Sequence, residues 1–135
     1  MFVWFCIVAC ASAACLVDAG MVKAGQPHQV PVNGSKVLRA AHFALVEFNK
    51  ANIEEQFAYK TVKITSANIQ IVSGINYILK MLLARTRCKK IFTDDGVSCV
   101  FHSEPKELQC LFVVSEIPWE GSRVLSKNKC FPYNY

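Results

Sequence analysis

The period of apolar and polar positions changes along the chain, and each change marks an element. From Ser35, read as an N-cap, Val37, Leu38, Ala41, Ala44, Leu45 and Phe48 recur at helical spacing through SKVLRAAHFALVEFNKAN. Lys36, Arg39, Glu47 and Lys50 stay off that stripe, so the spacing predicts one helix that buries a single face and ends near Ala51-Asn52. Beyond it the period shortens to two. Val62 and Ile64, then Ile69 and Ile71, then Ile75, Tyr77 and Leu79 alternate with polar residues, as antiparallel strands do. TDDG at 93–96 is a turn signal between two further strands, SCVFH and LQCLFVVSEI, and GSRVLSKNKCF supplies a short last strand after the break at Pro118. One helix followed by several antiparallel strands is an α+β layer with the helix on one sheet face.

One stretch resists that pattern. QIVSG at 70–74 interrupts the longest apolar-rich run of the chain beyond the N-terminal segment with a Ser-Gly pair that prefers to turn. Either a glycine bulge lies inside one long strand, with Val72 in the core, or a turn lifts Val72 into solvent. Periodicity alone leaves both open.

At 135 residues the chain has the size of one domain. Its first 17 residues carry no charged side chain, and the run is shorter than the roughly 20 residues a bilayer span requires. It reads as a secretory leader over residues 1–19, followed by a single domain over 20–135. Small residues also allow an earlier cut after Ala13 or Ala14. Residues 20–34, GMVKAGQPHQVPVNG, are rich in Gly and Pro without periodicity and predict an extended, partly mobile arm.

Cysteine spacing supports export. Of seven cysteines, Cys6, Cys10 and Cys15 fall in the leader, and the remaining four are Cys88, Cys99, Cys110 and Cys130. Four cysteines in an exported domain imply two disulfides with three pairings open. Cys88 and Cys99 flank the turn-rich connection while Cys110 and Cys130 lie in consecutive strands, so sequential pairing is the geometrically easy choice. Gaps of 10, 10 and 19 residues with no Cys-x-x-Cys knuckle argue against zinc, and no other metal or cofactor is expected.

The charge is basic, 15 Lys and Arg against 10 Asp and Glu, and loss of Asp18 with the leader moves the formal balance from +5 to +6. The basic residues are dispersed from Lys60 and Lys63 through Lys89 and Lys90 to Lys127 and Lys129. That is a solvated face, and neither nucleic acid nor, after leader removal, a membrane is an expected partner. Chemistry is sparse. Oxidised cysteines offer no thiolate, His28, His42 and His102 sit on arm, helix and strand without ligand spacing, and Asp94 and Asp95 adjoin a turn glycine. The chain reads as a binding protein rather than an enzyme.

Gln70-Ile71-Val72-Ser73-Gly74 resembles the Gln-x-Val-x-Gly motif of the type 2 cystatins, inhibitors of papain-like cysteine proteases such as cathepsins. Its company carries the resemblance: Gly25 in the arm, the helix, RTRCKK at 85–90, Pro118-Trp119 between two late strands, Leu125-Ser126-Lys127, and the four late cysteines. The likeness runs from about Val22 to Cys130. It implies a helix wrapped by a four- to five-stranded antiparallel sheet with two disulfides. It also implies that Gly25, the Gln70–Gly74 hairpin and Pro118-Trp119 meet at one end as a wedge that enters the protease cleft.

In that wedge Gly25 lets backbone approach the catalytic thiolate and adopt dihedrals that other residues avoid, with Lys23 and Ala24 in substrate-side pockets. Gln70 anchors the hairpin, Val72 is the exposed tip, and Trp119 offers a large rigid area beside the restricted Pro118. The family often has a larger aliphatic where this chain has Ala24. Family members that dimerise through extra cysteines find no counterpart beyond the leader here, so a monomer that binds protease one-to-one is expected. Asn33-Gly34-Ser35 is an N-glycosylation acceptor. Asn52 lies in the loop where some type 2 cystatins block legumain, but its spacing is one residue longer, and that activity is not expected. The alternatives are a non-inhibitory cystatin-fold protein, such as a cathelicidin-like pro-domain, or a basic module that binds anionic or microbial surfaces. Secretion is expected, with action outside cells or in endolysosomes left open.

Overall fold

The computed structural model describes residues 25–133. The leader, with Cys6, Cys10 and Cys15, the arm through Ala24 including Lys23, and Asn134 and Tyr135 lie outside the described residues. In chain order come β1 (His28–Gln29), α1 (Ser35–Ala51), β2 (Phe57–Ile71), β3 (Ile75–Lys89), β4 (Glu107–Ile117) and β5 (Ser122–Pro132). Every strand pairs antiparallel with its successor, giving one five-stranded sheet in the order β1-β2-β3-β4-β5.

The helix packs on that sheet through Val37, Ala40, Ala41, Ala44, Leu45 and Phe48. Three alanines on this face let the helix axis come close to the strands, and larger side chains from below fill the space. Phe48 meets Tyr59 and Phe112 edge-on at ring-centroid distances of 5.6 and 6.0 Å. Tyr77, Leu79, Met81 and Leu83 from β3 and Val114 from β4 complete the layer.

Two details of the helix differ from the sequence expectation. Gly34, not Ser35, is the N-cap; it is extended, no side chain caps it, and Ser35 begins the helix. Leu38 is 49% exposed. It lies seven residues, about two turns, before the buried Leu45, on the same flank. The connection between β3 and β4 that covers this flank reaches the helix at His42 and Asn49 and stops short of the first turn. Asn49 is buried there. Its Nδ2 donates to the carbonyls of Tyr59 and Asp94, each at 2.9 Å, and its Oδ1 accepts from Tyr59 N–H at 2.9 Å.

The predicted strand SCVFH does not form. Only one bridge, Thr86 to Phe101, stands there, flanked by Arg87 N–H to Val100 O at 3.0 Å and His102 N–H to Arg85 O at 2.9 Å. β4 occupies the edge of β3 as far as Ala84, so only the end of β3 is left to pair. TDDG turns as expected: Gly96 has φ +62°, and Asp95 Oδ1 accepts from Val97 N–H at 3.1 Å. The disulfides are sequential, Cys88–Cys99 across this connection and Cys110–Cys130 between register partners of β4 and β5. Irregularities in β2 between Thr61 and Lys63 and between Ile64 and Ser66 break the simple alternation, and Val62 is 42% exposed.

Candidate functional site

The β2–β3 hairpin closes at Ile71–Ile75, with Val72 N–H donating to Gly74 O at 3.0 Å. A turn, not a bulge, therefore interrupts the apolar run. Ile71 is 56% and Val72 51% exposed, Ser73 is exposed, and Gly74 is buried. Gly74 does not owe its place to a left-handed dihedral, because the positive-φ glycines of the described residues are Gly96 and Gly121. A Cβ on Gly74 would lie 2.6 Å from Glu116 O and 3.4 Å from Ile117 Cγ1. The glycine is what lets the first hairpin press against the backbone of β4.

β4 leaves the sheet at Ile117 and enters one turn of 3-10 helix, Pro118–Glu120. Proline suits that first position because its fixed φ is already helical and its missing N–H would have had no partner. Gly121, at φ 66°, ends the turn and returns its N–H to Pro118 O at 3.2 Å, so that β5 starts in register with Ser122 opposite Ile117. The Trp119 side chain projects from this turn with 74% of its surface exposed and does not fill the core. Below it, Arg123 Nε and Nη2 donate to Glu116 Oε2 at 3.1 and 2.7 Å, bracing the hairpin across its two strands.

The arm joins the same end. β1 pairs His28 with Ile69 and Gln29 with Asn68, and Val30 N–H donates to Ala67 O at 3.0 Å. Gln70 Nε2 donates to Gly25 O at 2.7 Å, so the glutamine ties the arm to the first hairpin. A Cβ on Gly25 would have nothing nearer than Ile71 O at 4.0 Å. Space inside the chain does not demand glycine there. Gly25, Ile71-Val72 and Trp119 thus share one rim of the sheet, linked by the Gln70 amide on one side and the Gly74–Glu116 contact on the other. Sequence reasoning missed the second link, since a backbone carbonyl 42 residues away leaves no motif.

The remaining polar residues lie elsewhere. His42 Nε2 sits 3.0 Å from Asp95 Oδ2 on the helix surface. That contact, followed by the Val97 amide, holds the Asp95 carboxyl below the ordinary aspartate range. Burial pushes the Tyr59 and Tyr77 phenols up, so both stay neutral. His102 packs edge-on against Phe57, with ring centroids 4.9 Å apart. Among the described residues no three His, Cys, Asp or Glu side chains gather as metal ligands. Asn33 is exposed in the turn before α1, and Asn52 is the C-cap of α1.

One helix packed on a five-stranded antiparallel sheet, with two disulfides in the later half of the chain, is the cystatin-like fold. The chain belongs to the cystatin family: residues 25–119 match the cystatin domain. It is 38% identical to the cystatin of Gallus gallus over 134 residues, covering 93% of this chain and 95% of that one. It is 36% identical to cystatin-C of Homo sapiens over 110 residues, covering 78% and 73%. Among solved structures, dimeric human cystatin F superposes with a TM-score of 0.73 at 29% identity, over 83% of this chain and 90% of that chain. Cystatins are inhibitors of cysteine proteases and not enzymes, and this chain is a type 2 member of that family.

Proposed function

We propose that the protein is a secreted, reversible, tight-binding inhibitor of papain-like cysteine proteases, acting as a monomer that fills the cleft of one protease molecule with a three-part wedge. The observation that supports this most is the rim itself, where exposed Val72 and Trp119 and half-buried Gly25 stand on three segments braced against one another. Bracing matters because a rim already in its bound shape loses little conformational entropy on docking. Val72 and Trp119 supply apolar area that water leaves on contact, and Gly25 presents bare backbone where a protease thiolate would need close approach. Cys88, Cys99, Cys110 and Cys130 are all oxidised, so the described residues offer no thiol for a covalent trap. This favours reversibility.

The two disulfides, together with the leader over residues 1–19, favour an oxidising, exported destination, outside cells or in endolysosomes. Asn33 is exposed and available for glycosylation. Titrating papain with the protein is the test. Activity should fall linearly to an end point at one equivalent, with little dependence on salt, and return on dilution. An end point far from one equivalent, or inhibition abolished by moderate salt, would instead indicate a basic surface-binding module.

A further inference from the structure

About 30 Å of strand, from Ile75 to Ala84 at roughly 3.3 Å per residue, separates the wedge rim from a second concavity. There the connection from Phe101 to Lys106 folds over β2 and β3 and encloses a cavity of about 230 Å³. Val62, Ala84, Phe101 and Pro105 give it apolar walls, and Arg85, with His102 and Lys106 nearby, gives it a basic end.

Arg85 is unusual in how it is held. Its side chain is 14% exposed, yet its carboxylate neighbours stand off, Glu55 at 3.7 Å and Glu104 at 3.9 Å, both beyond hydrogen-bond distance. Nη2 donates to the Glu104 carbonyl at 3.1 Å. Nε is buried with no acceptor, and among the described residues it is the only buried side-chain nitrogen or oxygen left unpartnered. A buried donor without an acceptor costs about 1–3 kcal/mol; Nε itself has no accessible surface, so a ligand can reach the guanidinium only at its terminal nitrogens. Guanidinium has five N–H groups in a planar fork that matches a carboxylate.

We propose that this cavity is a binding site for a small amphipathic carboxylate, its headgroup on the Arg85 guanidinium and its tail along Val62, Ala84, Phe101 and Pro105. The volume is below the roughly 300–1,000 Å³ of sites for drug-sized ligands, which sets the ligand as a short-chain to medium-chain acid. Phe101 already carries a cation on one face, Lys60 Nζ at 4.2 Å from its ring centroid, and Lys60 is fixed by donating to Cys99 O at 2.5 Å. The wall opposite β2 is therefore tethered to the sheet before any ligand arrives. Glu55, Glu104 and Glu107 near the cavity limit its net charge, so one carboxylate is accepted and a polyanion is not favoured.

Octanoate is the probe, followed by the Arg85 side-chain Nε–H and the amides around Val62 and Phe101 in nitrogen–proton correlation spectra of the 20–135 chain. The expected result is a saturable shift of those signals, with octanol at least about tenfold weaker because it cannot engage the fork. Arg85→Lys keeps the charge and removes the planar fork, and should weaken octanoate about tenfold. Val62→Trp, at a half-exposed position outside the wedge, should abolish the shifts by filling the cavity while papain inhibition stays unchanged. Equal shifts with octanoate and octanol, shifts centred elsewhere, full binding to Val62→Trp, or no saturable shift would each overturn the proposal. Papain inhibition by the same samples is read separately, so failure here and failure of the wedge are distinguishable.

Discussion

Replacing Gly74 by alanine puts one methyl group into the joint between the two hairpins. The new Cβ would stand 2.6 Å from Glu116 O, and both sides of that contact are backbone, so no flexible side chain can swing away. Opening the gap to an ordinary carbon–oxygen contact requires the loops to part by about 0.8 Å. Forcing extra volume into a packed contact of this kind costs typically about 1–3 kcal/mol. Because Gly74 is not at a positive φ, none of that cost comes from the alanine dihedral. Urea unfolding should therefore show a lower midpoint with an unchanged slope. Papain should dissociate faster by about tenfold for each 1.4 kcal/mol by which the separated rim loses fit. Gly25→Ala is the matching control, since its nearest neighbour would be 4.0 Å away: stability should move by less than about 0.5 kcal/mol while inhibition still falls. If Gly74→Ala kept both wild-type stability and wild-type dissociation, the close approach to β4 would not be what shapes the rim.

Trp119→Ala, at a position 74% exposed, should leave unfolding within about 0.5 kcal/mol of the parent and weaken papain binding about 30-fold, the equivalent of about 2 kcal/mol, through faster dissociation. Val72→Asp should give the same separation of fold from binding, checked by circular dichroism beside the inhibition assay. Asn49→Ala should do the reverse: with the Tyr59 and Asp94 groups left unpartnered, stability should drop by about 2–3 kcal/mol in urea while the rim, at the other end of the helix, keeps its inhibition. Asp95 titrates below its ordinary range in the folded chain, so it stabilises the fold at pH values above about 4 and loses that contribution as pH falls through the folded value. Asp95→Asn should accordingly flatten the acid limb of an unfolding profile recorded below about pH 4.

The sequence made some of this legible and hid the rest for identifiable reasons. The helix end at Ala51, the strands β4 and β5 and the sequential disulfides rest on local pattern and spacing, and the structure shows them there, with the helix start differing only in that Gly34 replaces Ser35 as N-cap. Asn49 was hidden because a polar residue on a helix reads as surface unless its partners, 10 and 45 residues away, are known. SCVFH alternates like a strand, but strands need a free edge, and β4 had taken most of it. At the rim, Gly25, Val72 and Trp119 were recognisable as a set only through resemblance to the cystatins. Their physical linkage, Gln70 to Gly25 and Gly74 against Glu116, depends on tertiary contacts that periodicity does not encode.

Hydrogen exchange of the complex with papain locates the surface that meets the protease. Exchange should slow at residues 71–75 and 117–122, together with the segment just after Gly25, and stay unchanged at the far end around 52–56 and 90–101. Protection confined to the far end, with the 71–75 and 117–122 loops exchanging as in the free protein, would contradict the three-part wedge.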